Sequence, residues 1–363
     1  MAPTTNSVKR MNMEVKNSLV ARIAGFAFVL LASVVSVAEA QKAMTPESII
    51  QGAKKEGQVT WATNWDERET AELNKAFQKE FPFIKKVGYF RERGGEQTER
   101  SISEMQVGIF SYDMSDVQDE IIGRYRQLGL LVPIDWQGLF GVDPRMVHPD
   151  RIGVAVGNNP AGIAYNKNKV PKDRIPKRWE DCYDPYFKGK LAGDVRPIHM
   201  VSLTLGYGEE WVLDFAKKLL ANNPRWMRGQ TAANLLVASG ELLISCPASH
   251  GAHYRQASVK PDYPVGWVFP EGPIVSQHSN LLSPMKGAPN FNAAVLLTGW
   301  IASKGVAHLD TGRESIFHPG TKLGAEFKRM NREIKVWSWD MVAQAEQRMQ
   351  KVLKVWGFPR PSK

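Results

Sequence analysis

A chain of 363 residues with 43% hydrophobic and 23% charged side chains is not the composition of a disordered protein, and it is long enough for two lobes with a sizeable core. Its formal net charge of +10 is spread along the sequence without a Lys/Arg block, which argues against nucleic acid as a partner. The two cysteines, Cys182 and Cys246, form no CxxC and stand near no histidine pair at zinc spacing, so no structural metal is expected; they either pair or remain buried thiols.

In chain order, Lys16 and Arg22 introduce an apolar run from Ile23 to Val37, closed by Ala38, Glu39 and Ala40 before Gln41. A basic start, about 15 apolar residues where a membrane span needs about 20, and an A-x-A exit describe an export signal over 1–40. Residues 1–10 read as preceding the true start, since Met11 or Met13 gives a more regular basic region. Without 1–40 the chain loses four basic and two acidic residues and carries +8. No later stretch is long and apolar enough to cross a bilayer.

Strand and helix then alternate. "TPESIIQGAKKEG" is a helix with Ile49, Ile50 and Ala53 on one side, stopped by Gly57; "QVTWATNW" alternates as a strand; Asp66 and Glu69 open a helix striped by Leu73, Ala76 and Phe77. "KKVGYFRER" is a second strand and "EQTERSISEMQVGIF" a second helix, followed by a short strand ending near Gln118 and Asp119 and a helix closed by Gly129. The alternation calls for an α/β fold with a parallel sheet covered on both faces. Ligands collect at the carboxyl ends of such strands. "TNWD" (63–66), "RERGGE" (91–96) and "QDE" (118–120) all fall there, and the adjacent Gly94 and Gly95 let main-chain N–H groups at a helix start approach a bound group.

From Arg151 the pattern changes. Two apolar strands surround "GNNP"; a stretch rich in proline and aromatics follows; a helix keeps Trp211, Val212, Phe215, Ala216 and Leu219 at helical spacing; and "GQTAANLLVASGELLIS" is a helix capped at Thr231, stopped at Gly240 and followed by a buried strand. These elements build a second α/β lobe from the middle of the chain, with two crossings between lobes. The terminal "WSWDMVAQAEQRMQKVLKVWG" is an amphipathic helix whose Trp and Met residues serve packing.

In this order, "GQVTWAT", "ELNKAFQKEFP", "GGEQTERSISE", "GLLVPID", "AGIAYNKNKV", "RWEDCYDPYFKGKLAGD", "VASGELLIS" and "VFPEGPIVSQHSNLLSPMKGAPNFNAAVLLTGWIASKGVAHL" resemble the extracellular solute-binding proteins of ABC importers, in particular their ferric-iron-binding branch. The resemblance implies a type 2 periplasmic-binding fold: two α/β lobes, 41–152 plus 272–363 and 153–271, joined by two crossover strands and closing on a solute in the cleft. It implies a monomer in the periplasm that hands a small-molecule solute to an ABC permease at the inner membrane, with no cofactor and no chemistry of its own. Ferric-iron capture and ligand sensing for a membrane receptor are the alternatives, and an extracytoplasmic enzyme a more distant one. The ferric branch carries adjacent tyrosines after "GEL-x-I"; here that region reads "GELLISCPASHGAHYRQ", with His250 and Gly251 in their place and Tyr254 shifted, so phenolate iron binding is not expected.

The candidate solute contacts follow from both lines of reasoning. Asn64 and Trp65 follow the first strand, the indole either stacking on an organic solute or packing under the next helix. Arg91 and Arg93 alternate along the second strand, so only one reaches the cleft, where a guanidinium would clamp a carboxylate or phosphate. Gly94, Gly95 and Glu96 form the helix start beyond them. Asp119 suits an amine or hydroxyl and keeps a zwitterion open. Arg196 and His199 sit in "VRPIHM", which the resemblance turns to the cleft; Thr231 offers a helix N-terminus; His250 and Tyr254 stand at the ferric position. His250 and His253 share a helix face as H-x-x-H, but no third ligand accompanies them and no metal is assigned.

Overall fold

The computed structural model describes residues 44–65, 67–91, 96–117, 119–260, 262–278, 281–308, 314–337 and 339–358. The expected export signal at 1–40 lies outside them. The chain divides into Met1–Ser48 and Ile49–Lys363. Of the first unit only 44–48 are described, where Thr45 and Ser48 exchange hydrogen bonds at a helix start.

Within the second unit, strands β1 (Gln58–Thr63), β2 (Lys86–Arg91) and β3 (Met114–Val117) are parallel and separated by helices α2 (Glu67–Glu80) and α3 (Glu96–Gln106), after α1 (Pro46–Glu56). Helices α4 (Asp119–Gln127) and α5 (Trp136–Phe140) lead to β4 (Val154–Ala155). The strand–helix alternation read from the periodicity is thus the order of the first lobe. Its sheet runs β2-β1-β3-β11-β4, with β11 (Leu281–Pro284) antiparallel to both neighbours. One helix, Phe291–Ser303, is apolar on every face and buried from Ala293 to Ile301, as a helix sealed inside a lobe must be. Glu56 caps its N-terminus, accepting from the Asn292 and Ala293 N–H groups.

The second sheet runs β12-β10-β5-β8-β6-β7, with β9 also on β5. Its strands are β5 (Asn158–Asn166), β6 (Leu191–Asp194), β7 (Arg225–Met227), β8 (Ile244–Ser249), β9 (Val265–Val268), β10 (Ile274–His278) and β12 (Ile334–Trp337). The helices of this part are α6 (Ile198–Ser202), α7 (Thr204–Tyr207), α8 (Glu209–Ala221), α9 (Gln230–Ser239) and α10 (His250–Ser258). After α11 (Phe291–Ser303) come α12 (Lys322–Met330) and α13 (Val342–Trp356). Separate apolar clusters around Phe215 and Ile244, and around Val237 and Val265, pack about this sheet. Cys182 and Cys246 form a disulfide with Cα atoms 6.4 Å apart, which ties the 3₁₀ turn Trp179–Tyr183 to β8.

The expected lobe boundaries need one change. The sheet assigns β10 and the whole of β12 to the second lobe, not the first, and α13 packs there too: Val352, Leu353 and Trp356 join the second-lobe core, and Trp356 Nε1 donates to Ala216 O at 3.2 Å. The reason is pairing, since β12 runs parallel to β10 over four residue pairs, and Leu323 and Phe327 of α12 pack in the cluster that covers it. The chain therefore passes between lobes three times, the third after α11. At that passage Arg145 of the first lobe sits 3.8 Å over the Phe317 ring, and His148 packs against Trp339.

Candidate functional site

The strand registers bring two edges together. In the first lobe β1, β2 and β3 end at Thr63, Arg91 and Val117; Leu281, where β11 begins, lies opposite Val117 and Ala155. In the second lobe β6, β7 and β8 run parallel and end at Asp194, Met227 and Ser249, while β5 begins at Asn158 and β10 ends at His278 on that same edge. The first two passages, β4 to β5 and β10 to β11, thus leave one carboxyl edge and enter the other. A solute placed there meets the strand ends of both lobes.

On the second-lobe side, Asp194 organises a corner. Its carboxylate, with a side chain only 5% exposed, accepts the Arg196 N–H at 3.0 Å, the Gly229 N–H at 3.2 Å and Arg196 Nη2 at 3.2 Å. Gly229 sits at φ +112°, which a side chain resists, and a Cβ there would meet Arg196 Nη2 at 3.3 Å. The guanidinium therefore lies directly over the start of α9, where the first N–H groups of the helix carry partial positive charge. Arg196 remains 60% exposed, and its Nη1 has no partner among the described residues. Two expectations change here. Gly229, not Thr231, is the N-cap of α9, and Thr231 is exposed with its carbonyl accepting from Gln256. The position was misread because Gln230, not a conventional start residue, opens the helix: it is buried, accepts the Ser249 N–H at 3.2 Å and donates to Pro247 O.

His199 completes the corner. It is 6% exposed; Gln277 Nε2 lies 3.2 Å from its Nδ1, and burial lowers its pKa to about 4, with Asp194 opposing the shift and Arg196 adding to it. Asp194, Arg196, His199 and Gln230 line a cavity of about 10 Å³, room for one water-sized group. Asp194 already accepts four hydrogen bonds, three from Arg196 and one from the Gly229 N–H, while Arg196 Nη1 keeps its protons to donate. The corner suits an anionic oxygen.

His250 and His253 go the other way. Ser249 Oγ accepts the Ala252 N–H, and Asn159 Oδ1 accepts both the Gly251 N–H and the Ser249 hydroxyl, so the first turn of α10 is closed by its own protein. His250 stacks on Phe269 at 5.5 Å and meets Trp267 and Tyr254; His253 stacks on Trp267 at 5.3 Å. Burial holds the two imidazoles at about 3 and about 4, and neither Nδ1 has a partner among the described residues. His250 is thus packed into an aromatic cluster with its Nδ1 sealed from solvent, and both histidines of the H-x-x-H pair pack against Trp267.

On the first-lobe side, Trp65 is 1% exposed and packs edge-on against Trp61, so its packing role holds in place of solute stacking. Arg91 donates through Nη1 to Trp65 O at 2.8 Å and to the Tyr89 hydroxyl, pinning the loop that carries the half-buried Asn64. Arg93, Gly94 and Gly95 lie outside the described residues, as do the side chains of Glu96 and Asp119, which open α3 and α4. The amides Asn158, Asn159, Gln230 and Gln277 went unread in the sequence. Asn158 joins the crossovers, accepting the Ile316 N–H at 3.1 Å and meeting His278 Nδ1 at 3.2 Å, while His278 stacks on Trp339. Only "GNNP", at a strand junction, pointed to the asparagines.

With this geometry, residues 113–276 match the family model of the bacterial extracellular solute-binding proteins. No individual curated protein matches the chain. In fold the chain is similar to the apo ferric ion-binding protein A of Pasteurella haemolytica, with a TM-score of 0.65 at 16% identity over 84% of this chain and 100% of that one. It is also similar to the periplasmic binding protein AfuA of Actinobacillus pleuropneumoniae with fructose-6-phosphate bound (0.61, 17%, 83% and 99%). A third is the spermidine/putrescine ABC transporter substrate-binding protein PotD of Streptococcus pneumoniae (0.58, 14%, 82% and 99%). The chain has the type 2 periplasmic-binding fold those structures share.

Proposed function

We propose that this protein is a solute-binding protein, the periplasmic component of an ABC importer, a monomer that captures a small anionic or zwitterionic solute between its two carboxyl edges and delivers it to a membrane permease. The observation that carries the anionic preference is the corner where the Arg196 guanidinium covers the start of α9 while Asp194 is saturated by donors. Export is supported by the signal read at 1–40 and by the Cys182–Cys246 disulfide, a bond that persists in oxidising compartments. Closure would be driven by contacts that only a bound solute makes to both lobes at once.

The fold neighbours include proteins named for ferric iron, for a sugar phosphate and for polyamines, so fold alone does not choose the solute. The corner favours the phosphorylated or carboxylated class over the polyamines. Thermal shift of the purified chain with sugar phosphates, citrate, spermidine and ferric ion, each with and without chelator, tests this. Stabilisation by an organic anion that survives chelator supports the proposal; stabilisation by spermidine alone, or only by ferric ion lost to chelator, refutes it.

A further inference from the structure

We propose that Gln277 is a positioning residue that holds His199 in its Nε2–H form, making the buried imidazole a fixed hydrogen-bond donor to an anionic oxygen of the solute. The inference rests on the function proposed above and names a residue through which that site would select its ligand.

The two side chains come from different elements. His199 lies in the first turn of α6, in the second lobe, and Gln277 on β10, one residue before His278, which ends β10 at the crossover. Gln277 Nε2 stands 3.2 Å from His199 Nδ1. An amide nitrogen only donates, so Nδ1 must accept, and a neutral imidazole that accepts at Nδ1 carries its proton on Nε2. The Nε2 atom has no partner among the described residues and is not among the polar atoms sealed from solvent, while His199 lines the same cavity as Arg196 and Gln230. The charged groups nearest His199 are Asp194 and Arg196, which oppose one another in their effect on it. From α13, Arg348 is turned to Thr204 and Glu209. The ring therefore stays neutral and its tautomer is left to the one strong neighbour, Gln277. A donor of fixed direction costs nothing to reorient when an anion arrives, and it rejects a cation or an ammonium at that spot.

Glu at position 277 inverts the logic, because a carboxylate accepts and would draw the proton to Nδ1, leaving Nε2 as an acceptor facing the anion. The test uses the full mature chain with ¹⁵N-labelled histidine. Long-range ¹H–¹⁵N spectra of the ligand-free protein should show the His199 proton on Nε2 in the wild type and on Nδ1 in Gln277→Glu. Titration with inorganic phosphate and with citrate, read by calorimetry, should show binding about tenfold weaker in Gln277→Glu, and in His199→Ala by a similar factor with no further loss in the double variant. A wild-type proton found on Nδ1, or an unchanged tautomer and affinity in Gln277→Glu, overturns the proposal. An Nε2–H wild type that binds neither anion overturns the donor role and the anionic function together, yet leaves the tautomer assignment standing, so the two failures are distinguishable.

Discussion

Acid should unfold this protein earlier than its carboxylates dictate. His199, His250, His253 and His278 are all pushed down by burial, to about 4, 3, 4 and 4. In the unfolded chain each imidazole takes a proton as pH falls through about 6.5, whereas in the fold each stays neutral until pH approaches its lowered value. Between those limits the unfolded state binds more protons, so this contribution to stability is complete above about pH 6.5 and is lost steadily as pH falls toward 4. At about pH 5 each site costs about 2 kcal/mol, and the four together about 8 kcal/mol, which is comparable to the whole stability of a typical domain. Urea unfolding followed by tryptophan fluorescence, repeated from about pH 8 to about pH 5, measures the loss directly. His250→Phe keeps a ring against Phe269 and Trp267 while removing one titrating group, and should cut the loss by about a quarter. A midpoint that stays flat over this range, or a His250→Phe variant with the full pH dependence, would refute the burial argument.

Three further outcomes follow from particular contacts. Replacing Cys182 and Cys246 together with Ser should lower stability by about 4 kcal/mol, the chain-entropy value for closing a loop of 64 residues; an unchanged unfolding midpoint under non-reducing conditions would show that the bond restrains nothing. Arg196→Ala should weaken an organic anion by about tenfold or more while leaving the melting temperature of the free protein within a degree or two, since the guanidinium is exposed and Asp194 keeps its two main-chain donors; equal binding by the variant removes the anionic corner. Asn234 is fully buried on α9, and neither amide atom has a partner among the described residues, so Asn234→Leu, of similar size, should raise stability by about 1–2 kcal/mol; a drop would mean that a buried water serves the amide.

The first lobe was readable because its strands and helices are consecutive, each with its own period and stop. Val59 and Trp61 alternate into the core, and Leu73 and Phe77 sit one turn apart on α2. The C-terminal return was not readable, because β12 is a four-residue strand whose place depends on pairing with β10, some 60 residues earlier, and no local pattern encodes a partner at that distance. Cysteine pairing was open for the same reason: it depends on a Cα separation that only the packed sheet sets.

At the site, charge and position were legible while neutral polarity was not. Arg196 and His199 were named through the resemblance, the sequence around them reading only as a loop, and both line one cavity. The residues that orient them are amides, and their partners lie far off in sequence: Gln277 reaches His199 across 78 positions, and Asn159 reaches Ser249 across 90. A side chain that both donates and accepts carries no directional signal until its partner is in place. The H-x-x-H pair, to which no metal was assigned, puts both imidazoles against the one ring of Trp267. If the cleft is to hold an anion at a corner where the Asp194 carboxylate is fully engaged, discrimination must come from the direction of N–H groups more than from net charge. Neutral residues such as Gln277 and Gln230 then decide what binds, and substitutions there should alter selectivity among anions where Arg196→Lys would alter mainly strength.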